Sequence, residues 1–197
     1  MAHVVKEYKL AVHANKIASE VQYDTIWINW KAPPYGWVKM NSYGLCKDNG
    51  IAGCGGLIRG CNGEWFGGYA KNIGKCSAYV AEFWGVLEGL KLAGRLGFQA
   101  IEVNVDSHLV ANIINSNKEG IFMGRALVSK IHTFIDLDWN LVVRHSYREA
   151  NQCADALVNL DCSLDSDICF YESCPTQFNH LLHADTMGMS IPRVIPL

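Results

Sequence analysis

The sequence is short of charge: only 18% of its 197 residues are Asp, Glu, Lys or Arg, and seventeen bases against nineteen acids leave a net charge of −2. That balance excludes the strongly basic composition of a protein held to nucleic acid by charge alone. Prolines are few, five in all, and half of the residues are hydrophobic. Disorder along the whole chain is therefore excluded and a buried core is expected. No apolar run of about 18 residues occurs, which excludes a membrane-spanning helix. The eight cysteines, at 46, 54, 61, 76, 153, 162, 169 and 174, contain no Cys-x-x-Cys pair, so the spacing of a zinc ribbon is missing. The opening Met1 to Glu20 brings in His, Lys and Glu from its third residue. It lacks the unbroken apolar stretch of a secretory signal and the arginines of a transit peptide. A soluble monomer of the nucleus or cytoplasm, with no membrane partner, is expected.

Periodicity divides what is present into three parts. Residues 1–35 read as an extension, with a helix up to Ser19 and an aromatic run from Ile26 to Trp30, closed by Pro33-Pro34. Residues 36–162 read as the folded domain. Trp37 to Tyr43, Ala52 to Arg59 and Glu64 to Ala70 alternate as three strands of a meander, with Asn62-Gly63 as a turn signal. From Ser77 the period changes to three and four through Val80, Phe83, Trp84, Leu87, Leu90 and Leu96, predicting a helix that Ser77 caps and Gly97 stops. A strand over Ala100–Asp106, helices over His108–Ile114 and Ala126–Ile135, a strand over Trp139–Tyr147 and a helix over Ala150–Leu160 complete the order βββαβααβα. Residues 163–197 form an acidic, Cys-containing tail that either straps onto the domain or hangs free.

Three acids fall where an α/β fold gathers its chemistry: Glu82 one turn into the long helix, Asp106 at the end of the fourth strand, and Asp155 in the last helix. Grouped carboxylates suit hard divalent cations such as Mg²⁺, and a pair of such ions activates water against a phosphodiester. His145, ten residues before Asp155, is placed to move a proton. The glycines at 53, 55 and 56 do not make a phosphate loop, because no Lys-Ser/Thr follows them; inside a strand they permit close packing or a bulge.

Read in order, several motifs carry a resemblance. Gly36-Trp-Val-Lys-Met-Asn-Ser-Tyr-Gly44, the Asn49-Gly50 to Arg59 hairpin, Ala78-Tyr-Val-Ala-Glu82, Val103-Asn-Val-Asp106-Ser107 and His145 through Asp155-Ala-Leu157 resemble plant ribonuclease H-like (RNase H type 1) domains of retroelement-derived, reverse-transcriptase-like proteins. The resemblance implies an α/β fold with a five-stranded mixed sheet, order 3-2-1-4-5, flanked by helices. It also implies hydrolysis of the RNA strand of an RNA–DNA hybrid with two Mg²⁺, or Mn²⁺, as cofactor. Under it, Glu82, Asp106 and Asp155 become catalytic carboxylates and metal ligands, and His145 the catalytic histidine. Gly44, Asn49, Ser107 and His108 become nucleic-acid-binding positions along the minor groove, where 2′-hydroxyls separate RNA from DNA.

One carboxylate of that pattern is missing. Relatives read Asn-Thr-Asp-Gly where this chain has Asn41-Ser42-Tyr43-Gly44. A phenol, neutral at pH 7, is a poor ligand for Mg²⁺. A loss of about 4 kcal/mol of transition-state stabilisation slows a reaction roughly a thousandfold. The sequence thus predicts a domain that engages nucleic acid weakly and is catalytically impaired. Its alternatives are a working hybrid ribonuclease using Glu82, Asp106 and Asp155, and a non-enzymatic interaction domain or retroelement remnant.

Overall fold

The computed structural model describes residues 22–116, 123–160 and 168–197. The helix expected up to Ser19 lies outside them. The described elements, in chain order, are β1 (Tyr23–Ile28), β2 (Val38–Cys46), β3 (Ile51–Arg59), β4 (Trp65–Lys75), α1 (Ala78–Arg95), β5 (Ala100–Val105), α2 (His108–Asn115), α3 (Arg125–Ile135), β6 (Asn140–His145), α4 (Gln152–Val158), β7 (Ile168–Tyr171), α5 (Asn179–Thr186) and β8 (Ile191–Pro196). Two compact units result, one running from Asn29 to Met189 and one made of the chain's two extremities.

The larger unit is a six-stranded mixed sheet in the order β6-β5-β2-β3-β4-β7. β2 pairs antiparallel with β3 and parallel with β5; β5–β6 is parallel and β3–β4 antiparallel. Five of these strands reproduce the order 3-2-1-4-5. The sixth, β7, comes from the tail and pairs antiparallel with β4 from Gly68 to Lys71. Tail residues therefore extend the sheet, an addition the expected five strands did not contain.

β2 is the central strand, and its first seven residues are all buried. It reads as nearly continuous burial because helices cover both faces of the sheet. On one face α1 lies across β2 and β3, joined to a core that includes Met40, Ile58, Phe83, Leu90, Val103 and Ile131. On the other, α4 packs on β2, β3 and β4 around Tyr43, Leu57, Cys153, Ala154 and Leu157. Ser77 caps α1 as expected, its Oγ accepting from the Val80 amide at 3.3 Å. Gly97 takes φ +77° just beyond the helix end, a backbone that side chains resist. The strand glycines serve both expected purposes. The β3–β4 register shifts between Ala52 and Gly53, and a Cβ at Gly55 would lie 3.0 Å from Val158.

Among its described residues, the smaller unit forms a two-stranded antiparallel ribbon in which Tyr23 to Ile28 face Pro196 to Ile191 in register.

Candidate active site

Glu82 is brought to the sheet by glycine. A Cβ on Gly44 would fall on the backbone nitrogen of Glu82, and one on Gly85 would sit 3.3 Å from the Tyr43 carbonyl. Only with both side chains absent does the first turn of α1 settle onto the end of β2. The Glu82 carboxyl is consequently buried, 6% exposed. Asp106 follows the last residue of β5, the parallel neighbour of β2, so its side chain meets Glu82.

The two acids share a proton. Burial first, then the hydrogen bond to Asp106 and its charge, push Glu82 up to about 10. At neutral pH the Glu82 carboxyl is therefore protonated and donates to the Asp106 carboxylate. Asp106 is also raised by burial, while the bond from Glu82 and the charge of Arg148 pull it back. Apart from the bond between the acids themselves, one buried oxygen of each, Oε2 of Glu82 and Oδ1 of Asp106, receives no hydrogen bond from the rest of the protein.

Tyr43 fills the place between these acids and α4. It is 7% exposed and packs in the smaller core beneath Cys153, Ala154 and Leu157. Burial, then the charge of Asp155, push its phenol up to about 12. The ring carries no charge in the physiological range.

Asp155 stands in the first turn of α4 and is held by Arg148. Nη2 donates to Oδ2 at 2.9 Å and Nε at 3.3 Å, and the guanidinium carbon lies 5.3 Å from the centre of the Tyr43 ring. Asn151 fixes the start of α4, its Nδ2 donating to the Ser42 carbonyl at 2.8 Å. Sequence reading singled out neither contact. An Asn just before a helix that carries an acid is the available signal.

His145 ends β6, and its Nε2 lies 3.1 Å from the Asp106 carbonyl. Its ring meets His108 edge-on at 5.3 Å and Tyr147 at 5.1 Å. Ser107 caps α2, accepting from the Val110 amide, and His108 Nδ1 lies 3.0 Å from Asn112. Thus Gly44, Ser107, His108 and His145 gather around Glu82 and Asp106. Asn49 is elsewhere in the β2–β3 turn, where its side chain accepts from the Ile51 amide at 3.0 Å. Lys71 of β4 is engaged away from the site: Nζ donates to Glu88 at 2.7 Å and sits 4.3 Å from the centre of the Trp84 ring.

The model of one protein family, described as reverse transcriptase-like, matches residues 41–161. The chain belongs to that family. Its domain is RNase H-like in fold and in kinship. Over 171 residues the chain is 38% identical to a protein of Arabidopsis thaliana provisionally named a ribonuclease H protein. The match takes in 86% of this chain and 28% of the relative, so the chain spans under a third of that relative's length. Among solved structures, LC11-RNase H1, isolated from compost by a metagenomic approach, is similar with a TM-score of 0.57 and 26% identity over 63% of this chain and 94% of that one. The same enzyme has been seen in complex with an RNA/DNA hybrid. RNase H1 of the archaeon Halobacterium salinarum is similar with a TM-score of 0.53 and 25% identity, covering 61% of this chain and 93% of its own.

For an RNase H-like domain the natural question is whether these residues fit divalent metal. The two orphaned oxygens of Glu82 and Asp106 suit a cation. The rest does not suit a pair of them. Tyr43 is an uncharged ring, Asp155 is matched to Arg148, and among the described residues no three His, Cys, Asp or Glu side chains are grouped to hold a metal ion. Also among the described residues, no helix is long and apolar enough to cross a membrane.

Proposed function

We propose that residues 36–162 form a hybrid-binding RNase H-type domain whose cleavage chemistry is impaired at Tyr43. In this reading Glu82, Asp106 and Asp155 are the surviving catalytic carboxylates and metal ligands, and His145 is the histidine beside them. Gly44, Asn49, Ser107 and His108 line the hybrid. The family supports the substrate class, since a similar enzyme has been solved with an RNA/DNA hybrid.

One observation carries the impairment: the phenol of Tyr43 is buried and is held neutral, up to about 12, by the burial and by the acids around it. A shared anionic ligand there would be opposed to Asp106 and Asp155 and would draw in cations. A neutral ring relaxes that repulsion and offers no charge. Substrate contact does not depend on this exchange, because it uses Gly44, Asn49, Ser107 and His108 and not the Tyr43 ring. With a net charge of −2, binding is weak and sensitive to salt. A second reading, residual cleavage, is favoured by the two buried oxygens of Glu82 and Asp106 that no group outside this pair satisfies.

The experiment is incubation of the full chain with a labelled RNA–DNA hybrid in Mg²⁺ or Mn²⁺ at low salt, with gel-shift and cleavage read on the same samples. Retention without cleavage is expected. Turnover at the rate of an ordinary RNase H, abolished by Asp106→Asn, overturns the impaired reading. Absence of any shift at 50 mM salt favours an interaction domain that does not touch nucleic acid.

A further inference from the structure

The ribbon formed by β1 and β8 has two unlike faces. In antiparallel pairs, residues opposite one another share a face. One face therefore carries Tyr23, Thr25, Trp27, Pro192, Val194 and Pro196; the other carries Asp24, Arg193 and four isoleucines. The first face has no charged residue and is exposed throughout. Tyr23 and Trp27 are each 66% exposed and Val194 64%. Both charges of the ribbon sit on the opposite side.

The edges are closed to strand addition. The Leu197 amide donates to the Gln22 carbonyl at 2.8 Å, which sets the phase: odd residues of β8 bond to β1, and Pro192, Val194 and Pro196 turn their backbones outward. Two of those three outward positions have no N–H to give. On β1 the outward amides belong to Tyr23, Thr25 and Trp27. The central one already donates to the Asp24 carboxylate at 2.7 Å. Growth of the ribbon by a further strand is blunted on both sides, so a partner meets it by the face.

We infer that this face is a docking surface for a second copy of the chain, ribbon against ribbon, in place of the monomer expected from sequence. Single-stranded nucleic acid also stacks on aromatic rings, but its platforms lie in basic grooves, and this face has no Lys or Arg. Membrane-surface segments likewise pair an apolar face with basic residues on the polar one; here that side holds one Arg and one Asp. An uncharged face meets a copy of itself with no like-charge repulsion. Two rings, two prolines, a valine and a threonine offer on the order of 500 Å² a side, so two faces reach about 1,000 Å², the floor for a specific interface. At that area the dimer is weak, with a dissociation constant in the micromolar range.

The test is sedimentation equilibrium of the full chain from about 2 to 200 μM, for wild type, Trp27→Arg, Val194→Lys and the turn variant Lys47→Glu. The expected result is a monomer–dimer equilibrium in wild type and Lys47→Glu, weakened at least tenfold in both face variants. Far-ultraviolet circular dichroism checks that each variant folds. If a face variant unfolds, oxidation of Thr25→Cys replaces it: a disulfide-linked dimer absent from wild type supports the interface, and its absence contradicts it. Wild type that stays monomeric to 200 μM, including one that instead binds a different protein, overturns the inference. So does a dimer that both face variants leave unchanged.

Discussion

In the proposed reading, Tyr43 keeps the fold while disabling the site. In a central strand an aromatic ring packs well, and here it joins Leu57, Cys153, Ala154 and Leu157. The same ring stands among Glu82, Asp106 and Asp155 without adding a negative charge. Glu82 is the clearest place to test the resulting electrostatics. Its folded value, up to about 10, lies far above that of an exposed carboxyl. The native state thus holds a proton that the unfolded chain releases, and stability must fall as pH rises from about 4.5 towards 10. Glu82→Gln, which stays neutral, is expected to raise the melting temperature by a few degrees at pH 8 and to leave it unchanged near pH 4. A thermal melt series across pH checks both halves of that statement. Gly44→Ala tests the close approach of β2 and α1. Its methyl group falls on backbone at Glu82 and not on a flexible side chain. A loss of about 3 kcal/mol or more in urea unfolding is expected, at the severe end for a single substitution.

At the scale of elements, the tail from Ile168 to Met189 is part of the larger unit. Arg59, 1% exposed, donates to Asp185 of α5 at 2.8 Å, and its guanidinium lies 3.8 Å from the centre of the Trp30 ring. Trp30 in turn donates to Asn41 of β2 at 3.1 Å. Asp185→Ala leaves Arg59 buried and unpaired, and is expected to cost about 3–5 kcal/mol by urea denaturation. Little of this was legible in the sequence. β2, β3, β5 and α1 announced themselves because their periods are regular and their ends carry Ser, Gly or Asn-Gly. β7 did not, because Ile168-Cys-Phe-Tyr171 is four residues long and owes its extended form to an open edge of β4. The pairing of β1 with β8 joins segments at opposite ends of the chain, which no local pattern records. The burial of Arg59 was equally hidden, since a base at a strand end usually reads as surface. At the site, the acids and histidine were legible from motif order. The proton between Glu82 and Asp106, and the hold of Arg148 on Asp155, were not, because both depend on distances across the sheet.

The whole molecule keeps the family's sheet and helices while changing the charge at their centre. Near-neutral overall charge leaves few phosphate contacts, so hybrid affinity is expected to drop by only about tenfold between 50 and 200 mM salt, as fluorescence anisotropy will show. The central claim is that the ring at position 43, and not wider decay of the site, silences cleavage. Single-turnover hydrolysis of a labelled hybrid by Tyr43→Asp and wild type, side by side in Mg²⁺ and in Mn²⁺, addresses it most directly. Cleavage by the variant is expected to be at least a hundredfold faster than by wild type, and to disappear when Asp106→Asn is added. Equal rates in the two proteins, whether both fast or both nil, would contradict it.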